Sequence, residues 1–106
     1  MARTRIAVKA QLGNDVVSRE HGARMRTLLE NALRNGPVLV DFDGMKITSV
    51  SFFDESFGSL AKQHGEELLS KIELVSMDPF DRHLLLDIVS SRARETKKST
   101  PKQANR

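Results

Sequence analysis

Hydrophobic and polar positions change period several times along the 106-residue chain, and each change predicts a boundary. Between Arg3 and Leu12, Ile6, Val8, Ala10 and Leu12 alternate with Arg5, Ala7, Lys9 and Gln11. A period of two predicts a half-buried strand at a sheet edge, closed by a turn at Gly13-Asn14-Asp15. After Ser18, a suitable N-cap, the period lengthens. Met25, Leu28, Leu29, Ala32 and Leu33 form a helical stripe that Asn35-Gly36-Pro37 terminates. Arg19, Arg26 and Glu30 fall on the opposite, solvated face, and Gly22 is a weak point costing up to about 1 kcal/mol relative to alanine.

The central stretch is Val38-Leu39-Val40-Asp41-Phe42-Asp43-Gly44, followed by Ser49-Val50-Ser51-Phe52-Phe53-Asp54-Glu55-Ser56-Phe57-Gly58. The first run is short, β-branched and bounded by glycines, which favours a buried strand. Met45 to Val50 suits a further short strand or an extended approach to a helix. Ser51 with Asp54 has the spacing of a capping box, and Asp54 and Glu55 then fall in the first turn, where negative charge meets the positive end of the helix dipole. Phe53, Phe57, Leu60 and Ala61 keep helical spacing to about His64, with Gly65 as C-cap. Glu66 to Ser70 is a connector with Leu68 and Leu69 beneath it.

Ile72 to Met77 is the next strand. Asp78-Pro79 opens a last helix, with the aspartate as N-cap, and Phe80, Leu84, Leu85, Ile88 and Val89 as its buried stripe. Arg92 and Arg94 suit its C-terminal end. The sequence after Glu95 contains no large apolar residue, so residues 96–106 are expected to form a disordered basic tail behind a domain at 1–95. Alternating strands and helices predict an α/β fold: a small sandwich with a mostly parallel or mixed sheet of three to five strands and about three helices.

A chain of this length buries roughly 60–70% of its unfolded surface as one domain. It contains no cysteine, which excludes thiol catalysis, disulfides and Cys-ligated metal sites. No window reaches the apolar length of a membrane helix, and Met1 to Ala10 alternates instead of forming a signal-peptide core, so a soluble, cytoplasmic protein is expected.

The net charge of +3 is unevenly distributed. Residues 92–106 carry six bases and one acid, whereas residues 1–91 carry 11 bases and 13 acids. Within the body, seven bases stand against three acids in the first 40 residues, and ten acids against four bases between Asp41 and Asp87. This predicts a bipolar surface and makes the strand-to-helix edge a poor seat for phosphate backbones. Lys97, Lys98 and Lys102 leave a nucleic-acid-associated accessory role open through the tail alone, beside the simpler reading of a solubilising tail.

Catalytic constellations are weak. His21, His64 and His83 lack metal-ligand spacing, Gly44 stands alone where a phosphate loop needs several glycines, and G-x-S-x-G is absent. Asp54 and Glu55 point about 100° apart on a helix and do not form an acid–base pair. A magnesium site combining Asp41, Asp43 and Asp54 is the remaining enzymatic option, and capping accounts for Asp54 with fewer assumptions. The residues thus imply no catalytic group, no metal and no cofactor. Ser49, Ser51, Ser56 and Ser59 crowd one edge, where a phosphate would change which partner docks. Open α/β sheets also bind small ligands beyond the carboxyl ends of their strands, although no residue here selects one.

V-L-V-D-F-D-G at Val38 to Gly44 and S-V-S-F-F-D-E-S-F-G-S-L at Ser49 to Leu60 resemble the bacterial STAS-like domain family of unknown function. S-R-E-H-G at Ser18 to Gly22 and I-E-L-V-S-M at Ile72 to Met77 resemble its flanking segments. The likeness spans about residues 18–90 and is most specific from Ser51 to Gly58. The wider superfamily includes the anti-sigma-factor antagonists, which dock onto a histidine-kinase-like ATPase and are released by phosphorylation of a serine at a strand-to-helix junction. The resemblance implies a non-enzymatic regulatory domain that binds such an ATPase or an anti-sigma-type regulator through residues 49–59. Ser49, Ser51, Asp54, Glu55, Ser56 and Ser59 would contact the partner. If Phe57-Gly58 matches the apolar-glycine pair of the antagonist motif, Asp54 stands at the phosphorylated position, and Ser51 and Ser56 are displaced candidates for modification.

Overall fold

The computed structural model describes residues 4–13 and 18–104, with side chains up to residue 95. The elements run β1 (Thr4–Ala7), α1 (Val8–Leu12), α2 (Arg19–Leu33), β2 (Val38–Asp41), α3 (Val50–Phe53), a π-helical segment (Asp54–Gly58), α4 (Ser59–His64), a 3₁₀ segment (Gly65–Ser70), β3 (Ile72–Val75) and α5 (Pro79–Ala104). The three strands form one parallel sheet in the order β1-β2-β3, so the α/β class holds at the lower end of the expected strand count.

β1 is an edge strand, as its alternation predicts, but it is much shorter than Arg3 to Leu12. It pairs residue for residue with the four positions of β2, Thr4 with Val38 through Ala7 with Asp41, and the chain then turns into α1. Val8 and Leu12 are both buried while Ala10 is exposed. Residues four apart share a face in a strand and in a helix alike, so the pattern could not separate the two. The turn expected at Gly13-Asn14-Asp15 falls mostly outside the described residues.

α2 begins as expected, with the Ser18 hydroxyl accepting from the His21 amide at 3.1 Å. Met25, Leu29 and Ala32 are buried along its inner side. Met45 to Ser49 forms no strand. Its Met45 and Ile47 side chains plug the core, and Thr48 adopts a left-handed backbone with φ of 44°, which breaks an extended run. Leu68 is fully buried beneath the 3₁₀ segment, and Gly65 ends α4 with φ of 70°.

Asp78 caps α5, accepting from the Asp81 amide at 3.2 Å. The buried line on α5 is Asp81, Leu85, Val89 and Ala93. Phe80, expected in that stripe, is 60% exposed, because a line of residues four apart starting at Asp81 points its predecessor outward. The helical backbone continues to Ala104, through the part of 96–106 expected to be disordered; the side chains from residue 96 and residues 105–106 lie outside the described residues. Among the described residues, no helix is long and apolar enough to cross a membrane.

The core sits between the sheet and the helices. Val38, Val40, Ile6 and Ile72 face it from the strands, whereas Arg5 and Glu73 on the alternate positions are exposed. Phe42, Phe52, Phe53 and Phe57 fill its centre, with ring centroids 5.5–6.5 Å apart in tilted or edge-on pairs. Such offset pairs match the ring quadrupoles better than face-to-face stacks.

Candidate functional site

The helix expected over residues 52–64 starts earlier. Ser49, not Ser51, is the cap, with its hydroxyl accepting from the Phe52 amide at 3.2 Å. Ser51 stands half-buried in the first turn. Ser51 and Asp54 have capping-box spacing, but the helix starts two residues earlier, with Phe52 and Phe53 both buried.

From Asp54 to Gly58 the helix widens to π geometry, which leaves carbonyls without their usual partners. Three side chains serve them. Ser56 donates to the Phe52 carbonyl at 2.7 Å, and Ser59 lies 3.5 Å from that of Asp54. Arg26 of α2 reaches the Glu55 carbonyl and the Ser59 hydroxyl, each at 3.5 Å. The serine richness of this motif is therefore in large part internal. Ser56 is fully buried, which corrects its reading as a contact or modification site: neither a partner nor a kinase reaches that hydroxyl in the folded chain.

Asp54 and Glu55 do not cap. Asp54 forms a two-pronged pair with Arg92 of α5, Nε to Oδ1 at 2.7 Å and an Nη to Oδ2 at 2.9 Å. Glu55 binds Arg26 at 2.8 Å and Arg19 at 3.0 Å, and Arg19 also lies 3.8 Å from Asp54. Arg92 completes the set with Glu95 at 2.9 Å. The hydrogen bond from Arg92, helped by the charges of Arg92, Arg19 and Lys62, outweighs burial and holds the Asp54 carboxyl below its ordinary range. The same contact pushes Arg92 upward. Arg19 and Arg26, read from sequence as part of a solvated outer face, are thus two members of a lattice that ties α2 and α5 to the π segment. The basic and acidic blocks, separate along the sequence, here neutralise one another.

Gly22 owes its place to this junction. A β-carbon there would lie 2.8 Å from both the Phe52 carbonyl oxygen and the Glu55 Cβ, so α2 approaches α3 closely only without a side chain. Gly58 does the same toward α5, where a β-carbon would meet Ile88 Cγ2 at 3.1 Å.

The remaining feature lies at the carboxyl ends of the strands. Asp81, 1% exposed, accepts from the Ile47 amide at 2.6 Å and the Thr48 amide at 2.8 Å. It thereby fastens the loop before α3 to the first turn of α5. Val50 stands two residues beyond Thr48, and Phe80 one before Asp81. They are the large hydrophobic side chains left exposed among the described residues, at 59% and 60%. Sequence reading missed this pairing, because nothing local marks Asp81 as a partner of residue 47.

Among the described residues, no group of three His, Asp or Glu could hold an ion. Asp41 is paired with Arg5 and accepts from the Asp43 amide at 2.9 Å, while Asp54 is engaged with Arg92. His21 contacts the Ser18 hydroxyl at 2.8 Å, His64 is half-buried, and His83 lies on the surface beside Asp87.

The chain is a one-sheet α/β domain whose helix after β2 is joined to its neighbours by charge, with exposed Val50 and Phe80 near the strand ends. Residues 21–82, more than half of the chain, match the family described as a STAS-like domain of unknown function, and the chain belongs to that family. No curated protein and no solved structure matches the chain significantly.

Proposed function

We propose that the chain is a non-enzymatic regulatory domain that docks onto another protein through the edge formed by residues 48–51 and the start of α5. The partner class implied by its family resemblance is a histidine-kinase-like ATPase or an anti-sigma-type regulator. The observation that carries this reading is the placement of Val50 and Phe80, two exposed apolar side chains on segments joined through Asp81. Exposed apolar side chains flanked by polar ones are common anchors in interfaces. Ser49 and Ser51, half-buried at the same helix start, supply the polar rim, and Ser51 is the serine at which a phosphate would alter docking. Asp54, Glu55 and Ser56 take no direct part, being committed to the junction behind the edge.

The experiment is a binding titration of the full chain against purified ATPases and anti-sigma-type regulators encoded alongside it, with and without ATP. Val50→Lys and Phe80→Lys are expected to weaken the complex by tenfold or more, about 1.4 kcal/mol or above, while leaving the melting temperature unchanged. Equal binding by both folded variants would remove this edge from the interface, and failure of every such protein to bind would remove the partner class.

A further inference from the structure

One edge of the sheet is both unpaired and flanked by apolar side chains. β3 is the outer strand of the order β1-β2-β3. The Val38 amide donates to the Lys71 carbonyl at 2.9 Å, and the Phe42 amide to the Val75 carbonyl at 3.0 Å. Peptide groups alternate in direction along a strand, so the N–H and C=O groups of Ile72 and Leu74 point the other way, off the sheet. Among the described residues, nothing bonds to them there. Unpaired peptide groups on an edge strand are a template for another strand.

Beside that edge lies a groove of about 440 Å³ lined by Leu69, Ile72, Glu73, Leu74, Arg82 and Leu86. Leu69, Leu74 and Leu86 are only partly covered by the core. Arg82 and Leu86, four residues apart on α5, form its far wall on one helix face. Arg82 is exposed and joins no ion pair among the described residues. The groove at the β1 edge carries more polar side chains, among them Gln11, Asn31 and Asn35, beside Ile6, Leu28 and Ala32.

An edge strand facing a helix across a groove of mixed leucine and charged lining is an arrangement in which an extended peptide adds to a sheet. Main-chain bonds hold it, and alternate side chains enter the groove. We propose that the β3–α5 groove binds an extended segment of a partner protein as a fourth strand. The segment places apolar side chains at alternate positions between β3 and α5 and an acidic side chain against Arg82. This site uses neither Val50 nor Phe80 and does not depend on the docking assignment.

The test selects short random peptides displayed on phage against the full-length chain, then titrates the selected peptide, made synthetically, into the isotopically labelled protein. Selected peptides should share apolar residues two apart with a neighbouring aspartate or glutamate. Saturation should slow exchange of the Ile72 and Leu74 amides with solvent, because those N–H groups become bonded. Arg82→Glu, at an exposed position that leaves folding intact, should weaken the acidic peptide by about tenfold and favour a lysine at the same peptide position. Failure to select a peptide, unchanged exchange at Ile72 and Leu74, or indifference to Arg82→Glu would each overturn the site. A dimer formed through β3 in the absence of peptide would give the edge to a second copy and overturn the peptide assignment.

Discussion

Asp54 and Arg92, 38 positions apart, meet through two parallel hydrogen bonds of 2.7 and 2.9 Å, binding the π segment after β2 to the last helix. Two-pronged guanidinium–carboxylate contacts are stronger and more directional than single ones. Here the carboxylate is about one-fifth exposed, so water screens it only in part. Replacing Asp54 with Asn should cost about 1.5–3 kcal/mol, read by urea denaturation at neutral pH. Arg92→Met should cost a similar amount, and the double variant should be less destabilised than the sum, since both changes remove one interaction.

The same pair predicts an acid limb. Because folding lowers the Asp54 carboxyl below its unfolded value of about 3.9, its contribution is complete above roughly pH 4 and disappears as pH falls through the folded value. Wild type should lose stability more steeply than Asp54→Asn below about pH 4, so their stability curves converge in acid. Parallel curves would show that the pair contributes nothing through ionisation.

Gly22→Ala tests whether helix propensity or packing decides that position. Propensity alone would stabilise α2 by up to about 1 kcal/mol. The 2.8 Å approach of the new methyl group to the Phe52 carbonyl and Glu55 predicts the opposite, a loss of about 1–3 kcal/mol, measurable as a lowered melting temperature.

Asp81→Ala should be among the most damaging substitutions. It leaves the buried Ile47 amide without its acceptor, at about 1–3 kcal/mol, and also removes the acceptor of the part-buried Thr48 amide. Hydrogen exchange at those two amides should rise far more than at Met25 or Leu29, since the loop before α3 is released first. Uniform acceleration across the chain would show global unfolding instead.

Ser49→Ala should cost about 1 kcal/mol through loss of the cap, and Ser51→Ala much less. Ser56→Ala, which removes a 2.7 Å bond to the Phe52 carbonyl, should cost about 0.5–1.5 kcal/mol, whereas Ser56→Asp should prevent folding by burying a charge. Thermal denaturation of the four variants orders these effects.

Short-range chemistry was legible wherever one residue sets its own surroundings. Ser18 caps α2, Asp78 caps α5 and Gly65 ends α4, each through contacts within a few positions. The hydrophobic period located α2, β2 and β3, and the motif from Ser51 to Gly58 lies within the family match at residues 21–82. It failed where two periods coincide, as at Val8 and Leu12, and local spacing failed at Ser51, where the cap is Ser49 two residues earlier.

The sequence by itself determined the α/β alternation, a mostly parallel or mixed sheet and the absence of thiol chemistry, because these follow from periodicity, connection length and composition. Only the tertiary structure decided what the charged and hydroxyl side chains of the π segment and the loop before α3 do. Asp54 answers to Arg92, Glu55 to Arg26, and the Ile47 amide to Asp81, across separations of 29 to 38 positions. Polar groups are satisfied by whatever the fold brings within 3 Å. That neighbour is set by how helices pack over a sheet, which no local pattern encodes.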